Sequence, residues 1–239
     1  SRGTLRTYRI HGACCPRHPA AGEVVCFDAN GVPFESWAQH LRPSLSTFRT
    51  LVTSPARAAS ARTPRTSTRA AGSSSSSFAS LGVAPEMVSS LAAGGITAPF
   101  PIQAATLPDS LAGRDLLGRG RTGSGKTVAF ALPLVSALSG RRSSARRPRG
   151  LVLVPTRELA VQVDQTIAPL AAAMGLRTRT IFGGVGQNPQ VQALAKGVDI
   201  IVATPGRLAD LIKQGHANLG AIEVTVIDEA DHMADLGFL

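Results

Sequence analysis

At 239 residues the chain has room for one large domain or for one domain and a tail. Its apolar fraction of 44% rests on Ala, Val and Leu, with 4% aromatic, which is enough for a sheet core covered by helices, and no stretch approaches the ~20 apolar residues of a membrane span. The net charge of +10 is almost wholly arginine, because Lys126, Lys196 and Lys213 are the only lysines.

That charge is uneven along the chain. Residues 1–72 hold ten Arg against Glu23, Asp28 and Glu35, a balance of +7, whereas residues 73–239 come to +3. From Ser36 to Pro85 there is no acidic residue, and Ala, Arg, Ser, Thr and Pro dominate up to the run Ser73 to Ser77. Such a segment has too little apolar surface to offset its ordering entropy, so residues 1–77 are read as a disordered basic segment. Three roles fit it: a basic arm with nonspecific nucleic-acid affinity, an Arg- and Ser-rich transit peptide, or sequence with no selected role. His11, Cys14, Cys15, His18 and Cys26 cluster within it. Adjacent cysteines rarely ligate one tetrahedral metal together, so neither a structural zinc nor a disulfide is expected, and free thiols point to the reducing cytoplasm.

Asp115-Leu116-Leu117 reads as a short buried strand, and Thr127 to Leu138 as a helix interrupted by Pro133. Between them lies Gly120-Arg121-Thr122-Gly123-Ser124-Gly125-Lys126-Thr127. Its glycines can take φ > 0 and turn successive N–H groups onto a polyanion, and the helix behind them adds its positive end. Lys126 is a point charge for β- and γ-phosphates, and the Thr127 hydroxyl is a ligand for Mg²⁺, so the pattern predicts ATP. Arg141 to Arg149 then forms a basic loop, read as a solvated surface with an RNA contact as the lesser alternative. The runs Leu151 to Val154, Thr178 to Phe182, Asp199 to Ala203 and Ile222 to Ile227 are β-branched, buried-type strands. The last delivers Asp228-Glu229-Ala230-Asp231 to a strand end. Asp228 is placed to hold Mg²⁺, and Glu229 to orient or deprotonate an attacking water. Strands alternating with helices predict an α/β fold, an open and mostly parallel sheet with helices on both faces and ligands at the strand C-terminal ends.

From Phe78 to Phe238 the chain resembles the first RecA-like domain of a DEAD-box RNA helicase, a P-loop NTPase, because further segments follow that family's order. These are Pro155-Thr156-Arg157-Glu158-Leu159-Ala160, then Gly183-Gly184, then Thr204-Pro205-Gly206-Arg207-Leu208. The resemblance implies that Pro155, Thr156, Arg157, Gly183, Gly184, Thr204, Pro205, Gly206 and Arg207 grip the RNA sugar-phosphate backbone. It implies that the residues from Gly120 to Thr127 bind ATP with Mg²⁺ on Thr127 and Asp228, that Lys126, Asp228 and Glu229 serve hydrolysis, and that Phe78 and Gln103 read adenine. Ile96 stands where the family commonly has an aromatic, and Phe100 where it has a threonine.

On that resemblance residues 78–239 form an incomplete first helicase domain, and the next motif, a Ser-Ala-Thr strand, is expected beyond Leu239. That strand sits between the P-loop strand and the acidic-motif strand in related folds, so a gap and a tendency to aggregate are expected. The function implied is ATP binding and hydrolysis coupled to RNA binding and local unwinding, with weak binding and little turnover from these residues alone. A nucleotide- and RNA-binding module without turnover, or a DNA helicase, are the alternatives.

Overall fold

The computed structural model describes residues 2–9 and 76–238. Residues 10–75, which hold most of the segment read as disordered and the whole cysteine and histidine cluster, lie outside the described residues. In chain order the elements are β1 (Arg2–Arg9), α1 (Pro85–Ala93), α2 (Pro101–Leu111), β2 (Leu116–Arg121), α3 (Lys126–Leu138), β3 (Gly150–Leu153), α4 (Arg157–Ala173), β4 (Thr178–Ile181), α5 (Asn188–Ala195), β5 (Ile200–Ala203), α6 (Pro205–Lys213), a short 3₁₀ turn, β6 (Val224–Ile227) and α7 (Ala230–Asp235).

The strand order is β2-β1-β6-β3-β5-β4. β3 pairs parallel with β5 and β6, and β4 parallel with β5. β1 runs antiparallel to both β2 and β6 and lies between them. This strand, residues 2–9 of the basic segment, lies in the slot expected for the Ser-Ala-Thr strand. Its few apolar side chains gave no sign of it, because pairing on both sides satisfies the backbone whatever the side chains are. The same pairing, with Gly3 opposite Gly120 and Arg2 opposite Arg121, carries β2 well past the predicted Asp115–Leu117.

Two cores sandwich the sheet, split by the period-two alternation of its strands. Val152, Ile200, Val202, Val224 and Val226 face one layer with α1, α3 and α4, while Leu151, Leu153, Ile201, Ala203 and Ile227 face the other with α5, α6 and α7. Helix α3 is buried on nearly every side and continues through Pro133. The ~3 kcal/mol cost of an internal proline is outweighed where Phe130, Leu132, Leu134 and Leu138 each bury a large side chain, at ~1.5–3 kcal/mol apiece.

At the N-terminal edge of the sheet, the residues just before β6, β3, β5 and β4 are Glu223, Arg149, Asp199 and Arg177, a row of alternating charge. Arg149 is 5% exposed; it donates to the Leu138 and Arg141 carbonyls and makes a two-pronged pair with Glu223 at 2.7 and 3.1 Å. Asp199 is fully buried and accepts from the backbone N–H of Ser143 and of Arg177. The basic loop is therefore solvated only in part, since its last arginine is a structural pin.

Candidate nucleotide and nucleic-acid site

The strand C-terminal ends Arg121, Leu153, Ile181, Ala203 and Ile227 share the opposite edge, and each is followed in the chain by a helix. Behind β2 the turn is made by Gly123 (φ +79) and Gly125 (φ +85), the latter capping α3. Gly120 differs from its expected role, since it stays in β2 and needs no positive φ. Its missing Cβ matters through crowding, because one there would lie 2.6 Å from the Ser124 Oγ and 2.9 Å from the Ile102 Cδ1. The Ser124 hydroxyl is buried with no hydrogen-bond partner. An orphaned donor inside a glycine-built cradle fits a phosphate oxygen. The Lys126 ammonium bends back to donate to the Gly120 carbonyl at 2.8 Å.

Across the cradle, β6 leads directly into Asp228, 4% exposed, whose Oδ1 accepts from the Glu229 N–H at 3.0 Å. Burial pushes the Asp228 carboxyl up to about 6; the neighbouring Glu229 and Asp231 add to the rise, while the Glu229 N–H and Lys126 oppose it. A carboxylate so poorly solvated, beside the hydroxyl of Thr127, is a hard-oxygen donor set suited to Mg²⁺. Glu229 is held at φ +50, an uncommon conformation for a residue with a side chain, and starts α7. His232 stands one turn on, its Nδ1 3.5 Å from a Glu229 carboxylate oxygen.

Gly125, Lys126, Thr127, Asp228, Glu229 and Gln103 line one cleft of about 500 Å³, and Arg121, Thr122 and Gly123 lie on its wall. Gln103 is buried with its amide engaged at both ends: Oε1 accepts from the Phe100 N–H (2.9 Å) and Nε2 donates to the Gly125 carbonyl (3.0 Å). It is therefore tied to the cradle, and to address a base edge it must exchange these bonds. Phe78 is not at the cleft. It is 2% exposed in the core with Val83 and Met87, a packing role that an aromatic followed by apolar residues could equally have signalled. Sequence reasoning did not assign Ile96, Thr97, Phe100 or Gln162 to the cleft, which they line. Phe100 had a signal, one turn before Gln103 at the start of α2; Gln162, inside a long amphipathic helix, had none.

The three segments matched to RNA contact converge beside this cleft. Thr156 caps α4 by accepting from the Leu159 N–H, leaving Pro155 buried and Arg157 exposed. The Arg157 guanidinium lies against Gly184, where a Cβ would be 3.4 Å away, and also pairs with the adjacent Glu158 carboxylate. Arg207, in the first turn of α6 behind Thr204, Pro205 and Gly206, donates to the Val185 carbonyl from both terminal nitrogens at 3.2 Å. The loop containing Gly183 and Gly184 thus sits between two arginines and two helix N-termini, an arrangement that presents donors to phosphate.

Residues 100–239 match the family model described as DEAD/DEAH box helicase. The ATP-dependent RNA helicase RhlB of Shigella dysenteriae serotype 1 is 46% identical over 166 residues, which are 68% of this chain and 39% of that protein. The fold is similar to the RNA helicase Prp28 from Chaetomium thermophilum bound to ADP, with TM-score 0.61 and 38% identity over 66% of this chain and 39% of that one. A DEAD box protein from Methanococcus jannaschii gives TM-score 0.59 and 32% identity over 68% and 44%. The chain thus spans about two fifths of the length of the curated relatives it matches. With more than half of its residues matched to that family and the motif-bearing strand ends gathered on one sheet edge, the chain belongs to the DEAD/DEAH box helicases.

Proposed function

We propose that this chain binds ATP with Mg²⁺ and RNA on one continuous sheet edge and contributes these sites to an ATP-dependent RNA helicase. The carrying observation is that one 500 Å³ cleft brings Lys126 and Thr127, on the glycine-built turn, opposite Asp228 and Glu229. The turn at Gly123 and Gly125 cradles the phosphates with the α3 N-terminus behind it, and Lys126 leaves the Gly120 carbonyl for phosphate oxygens. Thr127 and Asp228 hold the metal, which when bound supplies charge neutralisation on the phosphates. Glu229 orients and deprotonates the attacking water, and Gln103 exchanges a backbone partner for the adenine edge. Arg157 and Arg207, with the backbone around Gly183 and Gly184, take the RNA strand, as the names of the relatives support. Among the described residues no helix is long and apolar enough to cross a membrane. The cytoplasm is our proposed location for the activity, on the RNA helicase reading alone.

The test is titration of the 239-residue chain with a fluorescent ATP analogue, with and without Mg²⁺ and RNA, followed by single-turnover phosphate release. Lys126→Ala is expected to weaken nucleotide binding by at least ~10-fold, whereas Glu229→Gln keeps binding and lowers hydrolysis by ~10²–10⁴-fold, the range for a general base. Nucleotide binding with no RNA dependence of either affinity or rate would replace this reading by a simple nucleotide-binding module.

A further inference from the structure

The N-terminal edge of the sheet carries cations that the fold does not consume. Of its alternating row, Glu223, Arg149 and Asp199 are engaged with one another or with backbone. Arg146, Arg147, Arg177 and Lys196 are exposed, and none forms an ion pair among the described residues. Arg142 approaches the buried Asp199 only at 3.8 Å.

These side chains form one patch. The Arg146 N–H donates to the Leu194 carbonyl at 2.7 Å, which seats the loop against the end of α5 beside Lys196. A Cβ on Gly197 would lie 3.1 Å from the Ser143 carbonyl oxygen and 3.4 Å from the Arg177 guanidinium. The loop is also held in a fixed shape. Arg146 sits at φ +61, an uncommon conformation for a residue with a side chain, and its carbonyl accepts from the Asn218 N–H at 2.8 Å. A bridge between Ser144 and Arg147 closes the turn. The cations are therefore presented on a braced backbone, with little backbone entropy left to lose on binding.

Among the described residues the patch has no exposed large apolar anchor. The exposed large hydrophobic residues Phe100, Leu117, Val161, Val185 and Leu236 all lie elsewhere in the chain. Protein interfaces concentrate their energy in buried aromatic or aliphatic anchors, whereas contact with a phosphate backbone needs cations alone and is indifferent to sequence. The four-residue strands put about 13 Å of sheet between this edge and the nucleotide edge. We propose that Arg146, Arg147, Arg177 and Lys196 form a second RNA-backbone contact surface that works without nucleotide. The proposal rests on RNA being the polyanion this chain meets, as the functional reading holds.

The test compares the 239-residue chain with Arg146→Asn/Arg147→Glu/Lys196→Glu, in which asparagine preserves the positive-φ turn. The probe is a fluorescent oligouridylate, titrated without nucleotide across a salt series. The variant should bind roughly tenfold or more weakly at ~0.1 M salt, and the slope of log affinity against log salt should flatten by about 0.7 for each lost phosphate contact. Its ATP affinity and melting temperature should be unchanged, and it should keep the nucleotide-dependent gain in RNA affinity. Arg157→Ala/Arg207→Ala should lose that gain while keeping the nucleotide-free contribution of the patch. RNA affinity within twofold of the parent in the patch variant would overturn the proposal and leave the functional reading intact. Loss of poly-glutamate binding with RNA binding unaltered would overturn it in favour of an acidic protein partner. No RNA binding by the parent chain would overturn both.

Discussion

A carboxyl group that the fold pushes up to about 6 and then places among other acids is working against the fold when it ionises. Asp228 has a folded value above its unfolded one near 3.8, so its protonated form favours the native state. The stabilisation it gives is full below about pH 4 and lost as pH rises through about 6. In EDTA, Asp228→Asn should therefore match the parent near pH 4 and exceed it near pH 7 by on the order of 2–3 kcal/mol, read from urea unfolding. Mg²⁺ with nucleotide should narrow that difference. Glu223 behaves in the opposite sense, because its hydrogen bonds to Arg149 hold its carboxyl below the usual carboxylate range, burial opposing in part. That contribution is present above about pH 4.5 and fades as pH falls through the lowered value. Removing the partner with Arg149→Met should cost ~2–4 kcal/mol and weaken that acid-side dependence in the same unfolding series, since it leaves Glu223 to the exposed Arg141 alone and vacates two carbonyls. The motif residues were legible one by one because their chemistry is carried by residue type: glycine for φ > 0, lysine for phosphate, paired acids at a strand end. Arg149 was not, since the basic loop it closes gives no sign of which arginine turns inward.

The strands at β3 to β6 were legible to within two residues, since buried parallel strands leave unbroken β-branched runs. Where the sequence misled, a distant element decided the outcome. Gln103 meets the Gly125 carbonyl across 22 positions of chain, and nothing local to α2 signals it. β2 extends because of a neighbour at the far end of the chain, and α3 continues through Pro133 because nearly every side of it is buried. The junction of cradle and α3 has the least tolerance of any turn at this edge. A methyl on Gly125 would stand 2.5 Å from both the Gln103 Nε2 and the Phe100 Cδ2, at a φ of +85 that side chains avoid. Gly125→Ala should lower stability by ~1–3 kcal/mol and weaken ATP by an order of magnitude or more, both readable from thermal melts with and without nucleotide. An unchanged nucleotide shift would show that the turn relaxes without harm.

At the scale of the molecule, one mixed sheet gathers the candidate site at one end and a charge row at the other, with β1 joining β2 to β6. A chain of residues 73–239 would leave those two strands with unpaired backbone facing each other. It should elute as aggregate where the 239-residue chain does not, and a cooperative melt with a monomeric profile would show the pairing to be dispensable. β6 pairs with β3, which ends at Leu153, although β4 and β5 lie between them in the chain. The acid pair at Asp228 therefore faces the phosphate cradle only through non-local pairings, whose loop-closure entropy must be met before they are rewarded. Mg²⁺ and ATP should consequently slow unfolding and leave the refolding rate almost untouched, the kinetic signature of contacts formed after the barrier.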